Sequence, residues 1–270
     1  MSLENSIHKW LNEQGFPFEM RVARQLVLDD FDVTQSPYYL DFEENKPRES
    51  DLLARLYSFH EPAKLAAIAE LETFCAVECK DNGKPWLIFK QVASKRWRTE
   101  DVLTTDDGAR LLEVARRQIG VTGLLHASAS AGYSAVLAHS ESDRAFAALM
   151  SAMKAAEAKI RELISASLQT SPRSDGIITA YGAVVIPVVL TTAPVFQVLM
   201  LPDNSIELTR VDSGAVALQY PRGRAGAKAA AVVHIVSEAG LSKFLSSVHA
   251  LHRELAKALP LIIPQPAPGE

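Results

Sequence analysis

The stretch LETFCAVECK, residues Leu71 to Lys80, decides how this chain is to be read. Thr73, Phe74 and Val77 are β-formers and predict a strand. Side chains alternate along a strand, so Glu78 and Lys80 project from one face while Cys75, Val77 and Cys79 project from the other. Phe74 and Ala76 share the face of Glu78, which therefore starts apolar and turns charged only at its end. Upstream, Arg48 to Phe59 reads as a strand through Leu52, Leu53, Leu56 and Tyr57. Glu49 and Asp51 share a face of it, and the leucines directly after Asp51 predict a mid-strand position. Laid side by side, the two strands bring Asp51, Glu78 and Lys80 into one cluster.

Further out, Phe31 to Leu40 predicts another strand through Val33 and the Tyr38–Tyr39 pair, with a polar turn over Asp41 to Pro47. His60 to Glu70 fits a short helix or an inserted loop. Asp81–Asn82–Gly83 carries an Asn-Gly turn signal, so Pro85 to Phe89 reads as the returning arm of a hairpin. Before all of these, Ile7 to Asp30 predicts helix, broken at Gly15–Phe16–Pro17. Phe18, Val22 and Leu26 recur every four residues, widened by Ala23 and Val27, and Glu19 sits at the edge of that stripe. A carboxylate there costs free energy unless it is paired or binds a metal.

Two more helices are predicted over Asp106–Ile119 and Ser142–Leu168, the second amphipathic through Phe146, Leu149, Met150, Met153, Ile160 and Ile164. Gly120 to His139 fits neither period. After a turn at Ser171–Gly176 come strands at Val184–Leu190, Val195–Leu201, Ser205–Val211 and Ala230–Val236, then a helix over Leu241–Ala258. Pro260 to Glu270 holds four prolines and reads as a mobile tail. No repeat or linker divides the chain. The expectation is one elaborated α/β domain over 1–259, its core at about 16–190 and a β-rich extension with the final helix at 191–259.

In 270 residues there are 28 Lys and Arg against 32 Asp and Glu, a formal net charge of −4. That excludes a globally basic nucleic-acid-binding surface but not a local basic groove. Two cysteines make no disulfide framework and suit a reducing cytosol. Met1 to Trp10 has no long apolar run, so no signal peptide is expected. Gly182 to Leu190 is too short to span a bilayer and contains Pro187. A cytoplasmic protein without membrane partners is the expectation.

Asp51 and Glu78 make a hard oxygen site suited to Mg²⁺ or Mn²⁺. Such an ion lowers the pKa of a bound water and polarises a phosphoryl oxygen, while a neighbouring lysine positions water or neutralises developing charge. These residues resemble the PD-(D/E)xK nuclease superfamily, also called restriction-endonuclease-like. Its signature is an acidic residue on one strand and (D/E)-x-K on the next, often with a glutamate from the preceding helix. The matching positions are Asp51, Glu78–Cys79–Lys80 and Glu19. The element order matches the family's α-β-β-β-α-β core, a mixed central sheet flanked by helices, over roughly Phe16 to Leu190.

There are two departures. Ser50 stands where the signature has proline, and 26 residues separate Asp51 from Glu78, which implies an insertion at His60 to Glu70. The resemblance implies an endonuclease with Asp51, Glu78 and the Cys79 backbone carbonyl as metal ligands. Lys80 would orient or activate water, and Glu19 would hold a metal-bound water or second ion. It further implies nucleic acid as substrate, DNA before RNA, in defence or repair, and is compatible with a homodimer.

Other readings stand beside this one. Glu-x-Lys on a strand is also the pattern of a solvated face with an ion pair. The superfamily also includes members that keep the fold without catalysis and act as binding or regulatory modules. Two basic clusters are candidates for nucleic-acid contact. Lys95, Arg96 and Arg98 flank Trp97, and Arg222, Arg224 and Lys228 lie in a Gly-containing run. Each is more readily read as a solvated surface loop. Cys75 and Cys79 lack histidines at zinc spacing and read as core thiols. Walker A and Gly-x-Gly-x-x-Gly patterns are absent.

Overall fold

The computed structural model describes residues 2–61, 67–81, 83–90, 102–118, 131–140, 143–169, 178–221 and 228–263. Five α-helices and thirteen strands lie among them. The helices are α1 Leu3–Gln14, α2 Phe16–Leu28, α3 Asp106–Gln118, α4 Arg144–Gln169 and α5 Leu241–Ile262. The strands are β1 Asp32–Gln35, β2 Tyr38–Asp41, β3 Lys46–Glu49, β4 Leu52–His60, β5 Ala67–Lys80, β6 Trp86–Phe89, β7 Leu103–Thr104, β8 Ser134–Leu137, β9 Ile178–Thr191, β10 Val195–Met200, β11 Ile206–Val211, β12 Ser213–Pro221 and β13 Lys228–Ser237.

The main sheet is mixed, in the order β1-β4-β5-β9-β13-β12. β1, β4 and β5 run antiparallel, β5 to β9 and β9 to β13 run parallel, and β12 returns antiparallel. β5 and β9 are the long central pair, matched from Ala67↔Ile178 to Lys80↔Thr191. Pro187 occupies the central strand β9 without breaking it. It sits between Val184–Val185, which pair with β7, and Val188–Thr191, which pair with β13, a gap where a missing N–H breaks no ladder bond on that side.

Alternation along β5 places the two faces in different layers. Cys75, Val77 and Cys79 join a core with α2, α3 and α5, running from Phe18 to Ile263. Phe74 and Ala76 pack beneath α4 with Ala155, Ala156 and Ile160. The Ala-rich stripe of α4 lets the helix lie close to the sheet. A small sheet, β11-β10-β6-β8, covers the β9–β13–β12 side around Trp86, Ile88 and Val216.

Thr105 pins α3 to β9: its hydroxyl donates to the Tyr181 carbonyl and accepts from the N–H groups of Gly108 and Ala183. Gly108 is required there, because a Cβ would stand 2.3 Å from the Ala183 carbonyl oxygen. Gly108→Ala is expected to destabilise the protein by about 1–3 kcal/mol, since backbone must move to admit the methyl. Denaturant unfolding of the variant beside the unchanged protein measures this.

Several expectations need correction. Phe31–Leu40 is two strands, because Ser36 turns into the left-handed region (φ 50°) ahead of Pro37. Arg48–Phe59 is likewise β3 and β4, divided at Ser50–Asp51, so Asp51 lies at a bend rather than mid-strand. The bend is held by Ser36 N–H to the Asp51 carbonyl and Ser50 N–H to the Pro37 carbonyl. β5 begins at Ala67, not Leu71, because β4 and β9 flank it and satisfy its backbone from both sides. Pro85–Phe89 is no hairpin arm: β6 leaves β5 and pairs parallel with β10 and antiparallel with β8. β12 was not foreseen. Pro260 lies inside α5 rather than opening a tail, since Ile262 and Ile263 are buried and hold the last turn on the core. Residues 264–270 lie outside the described residues.

Candidate metal-dependent active site

The antiparallel register Leu52↔Val77 sets Asp51 beside Glu78 at the edge where β5 and β9 end. Ligand sites in open α/β sheets favour the carboxyl ends of parallel strands. Helix α2 arrives at the same edge. It starts after Gly15 (φ 82°), with Pro17 in its first turn, where a missing N–H costs nothing. Phe18, Val22 and Leu26 are fully buried against the sheet. Glu19, about 100° further round the helix, is turned toward the strand ends.

Within the cluster the Cys79 N–H donates to Asp51 Oδ2 at 2.6 Å. Lys80 Nζ donates to Glu78 Oε1 at 2.5 Å, and Ser151 Oγ of α4 donates to Glu78 Oε2 at 2.9 Å. Tyr39 stands close enough for Ser151 and the charge of Glu78 to act on its hydroxyl, and burial above all raises its pKa. Glu78 is thus a buried carboxylate with both oxygens satisfied.

One ammonium shared among several carboxylates leaves an excess of negative charge. Burial, then the nearby charge of Asp51, raise the Glu19 carboxyl to about 7. Burial and Glu78 raise Asp51 to about 6, against the Cys79 N–H, which favours its ionised form. Burial alone would lower the Lys80 ammonium, but Glu78 and Asp51 outweigh it and hold it above its ordinary value. The opposite end of β5 is balanced instead. There Glu72 accepts from Tyr181 and Arg55, and Arg55 also pairs with Asp32.

The donors suit a hard divalent cation by type, since all are oxygens and the cluster carries uncompensated negative charge. Among the described residues no three His, Cys, Asp or Glu side chains stand ready at ligating distance of one point. Binding would draw on carboxylates already hydrogen-bonded, with Asp51 Oδ1 and the Cys79 carbonyl completing the set. Cys75 and Cys79 are free and buried, with both thiols pushed up by burial and so held neutral.

Glu19, Asp51, Glu78 and Lys80 are therefore brought together. Lys95, Arg96, Arg98, Arg222 and Arg224 lie outside the described residues. Lys228 opens β13 opposite Pro221, nine residues before Ser237 at the site end, or about 30 Å along the strand. Ser151 bonds Glu78 within the cluster and Tyr39 stands beside it, and neither was expected from the sequence. The signal for Ser151 was its place three residues after Ala148 and four before Ala155, an inward position on α4.

No family model, no curated protein and no solved structure matches this chain. No helix among the described residues is long and apolar enough to cross a membrane.

Proposed function

We propose that the chain is a metal-dependent nuclease of the PD-(D/E)xK type, hydrolysing phosphodiester bonds in nucleic acid. The observation that carries this reading is the meeting of Glu19, Asp51, Glu78 and Lys80 at one sheet edge from three separate elements. The order α2, β1, β4, β5, helix, β9 supports it, with the β2–β3 hairpin inserted between β1 and β4.

Asp51, Glu78 and the Cys79 carbonyl would hold Mg²⁺ or Mn²⁺. The ion, when bound, supplies Lewis-acid polarisation of a phosphoryl oxygen and acidifies water. Lys80, kept protonated by Glu78, serves as a donor to charge developing on phosphate oxygens rather than as a base. Glu19, brought to the same edge by α2, would hold a metal-bound water or a second ion. Ser151 holds Glu78 in place.

A second reading rests on the occupied oxygens of Glu78: a nuclease fold retained as a binding or regulatory module. Calorimetric titration separates the two, since a module of that kind takes up no Mg²⁺ at Asp51 and Glu78.

Incubation with plasmid, single-stranded DNA and RNA, in Mg²⁺ or EDTA, tests the nuclease reading directly. Cleavage is expected in Mg²⁺ alone, DNA being cut in preference to RNA. Lys80→Ala is expected to lower it by about 100-fold, the scale of losing one preorganised donor. Cleavage indifferent to both EDTA and Lys80→Ala would exclude this site as its source.

A further inference from the structure

A groove of about 660 Å³ lies between the β2–β3 hairpin and α4, directly beside the acidic cluster. Its floor is Ser50, Leu53 and Ala76. Ser50 precedes Asp51 in the chain, and Ala76 lies on the face of Glu78, two residues or about 7 Å away along β5. The hairpin is clamped to α4 by Asp41, which accepts from Lys154 Nζ at 3.0 Å and from the Glu43 and Glu44 N–H groups. Tyr39 lines the groove and lies close enough to Glu78 to feel its charge.

The walls are unusual for a solvated surface. Tyr38 is 74% exposed and Phe42 50% exposed, both at the rim of a concave site among the described residues. Exposed aromatic rings beside a cavity are stacking platforms. The α4 wall adds Lys159 and Arg161, with the Arg161 guanidinium 4.7 Å from the centre of the Phe42 ring. Lys159 pairs with Glu162 and is largely buried with its ammonium 5.0 Å from the centre of the Phe74 ring, whereas Arg161, paired with the buried Glu157, stays about half exposed. Aromatic rings with interleaved cations match a base with its phosphate. The size is that of a small-molecule pocket, not of a duplex channel.

We propose that this groove binds an unpaired nucleotide of the substrate strand, its base stacked on Tyr38 and Phe42, next to the phosphate held at the acidic cluster. This rests on the nuclease reading and names its substrate as single-stranded or locally unpaired nucleic acid. A base inside a duplex has both faces covered by its neighbours and offers nothing to Tyr38 or Phe42. Arg161, about half exposed, is the cation this groove offers to a phosphate, with Lys159 deeper in the same wall.

The test is fluorescence anisotropy in EDTA with a labelled oligothymidylate and a duplex of equal length, followed by cleavage of both in Mg²⁺. The unchanged protein is expected to bind the single strand more tightly. Tyr38→Ala and Phe42→Ala are each expected to weaken that binding by about tenfold. Tyr38→Phe keeps the ring and should retain it. Tyr38 is largely exposed, so its truncation leaves the fold intact and decides the matter even if Phe42→Ala unfolds. Equal single-strand affinity in Tyr38→Ala and the unchanged protein, or preference for duplex, overturns the proposal. Binding through Tyr38 without cleavage in Mg²⁺ supports the groove and refutes the nuclease reading. Asp51-dependent cleavage of duplex, unaltered by Tyr38→Ala, does the reverse.

Discussion

Asp51→Asn is expected to lower metal-dependent cleavage by about 100-fold or more while leaving the protein as stable as before, whereas Asp51→Ala loses both activity and stability. The distinction follows from the two jobs of one side chain. Asp51 Oδ2 accepts the Cys79 N–H at 2.6 Å, near the end of β5. A carboxamide oxygen at the same place still accepts that bond, but it brings no charge to a cation. Alanine leaves the N–H without its acceptor, which costs about 1–3 kcal/mol where water cannot replace it.

Removing the charge also relieves repulsion with Glu78 and Glu19, whose proximity raises the Asp51 and Glu19 pKa values. In EDTA, Asp51→Asn should therefore melt at or above the temperature of the unchanged protein. Plasmid cleavage and thermal denaturation on the same preparations check both halves. Full cleavage by Asp51→Asn would remove Asp51 from the site, and an equal loss of stability in both variants would remove the structural half.

Acid destabilisation traceable to two buried histidines is the second large effect. His234 lies in the core against Phe244, and among the described residues its Nε2 has no hydrogen-bond partner. His252 links Ser58 and Thr73 through its two ring nitrogens, both at 2.9 Å. Burial pushes each imidazole down from 6.5 to about 4, with the charge of His249 adding to the effect on His252. A depressed folded-state pKa means that the unfolded chain takes up the proton first as pH falls. The stability each neutral histidine carries is present above pH 6.5 and is lost between there and pH 4, about 3 kcal/mol apiece.

Glu19 and Asp51 work in the opposite sense. Their folded pKa values are raised, so the native state binds protons that the unfolded chain does not, and stability falls as pH rises from about 4 through 6 to 7. The two effects oppose each other across one window, and variants expose them separately. His234→Leu should gain on the unchanged protein by about 3 kcal/mol between pH 7 and pH 4. Asp51→Asn should lose stability more steeply toward acid than the unchanged protein. Urea unfolding at the two pH values measures both. A His234→Leu difference that does not change with pH would show that this imidazole is not held neutral by the fold.

Much of the site was readable because its chemistry is local. Glu78 and Lys80 are two residues apart on a strand whose identity Thr73, Phe74 and Val77 already imply, and alternation puts them on one face. Glu19 was found because a carboxylate at the edge of the Phe18–Val22–Leu26 stripe is costly without a purpose. Ser151 was hidden for the converse reason: a serine inside an alanine stripe is cheap to bury and draws no notice until Glu78 needs a donor. The hairpin predicted at Pro85–Phe89 failed because strand pairing is a long-range choice. Asn82–Gly83 signals a turn, but nothing local says that β6 will find β10 rather than β5.

By itself the sequence determined the long helices, most of the core strands and which charged residues end an apolar face, because periodicity and alternation act within a few residues of chain. Only the tertiary structure decided that Asp51 sits at a bend, free to bond the Cys79 N–H instead of extending the ladder. It also decided that the inserted hairpin folds back over α4 to leave a groove beside Glu78. Both depend on contacts between segments up to a hundred or more residues apart, such as Lys154 with Asp41 and Ser151 with Glu78. Closing such loops costs entropy that no local pattern records, and burial across the whole sheet repays it.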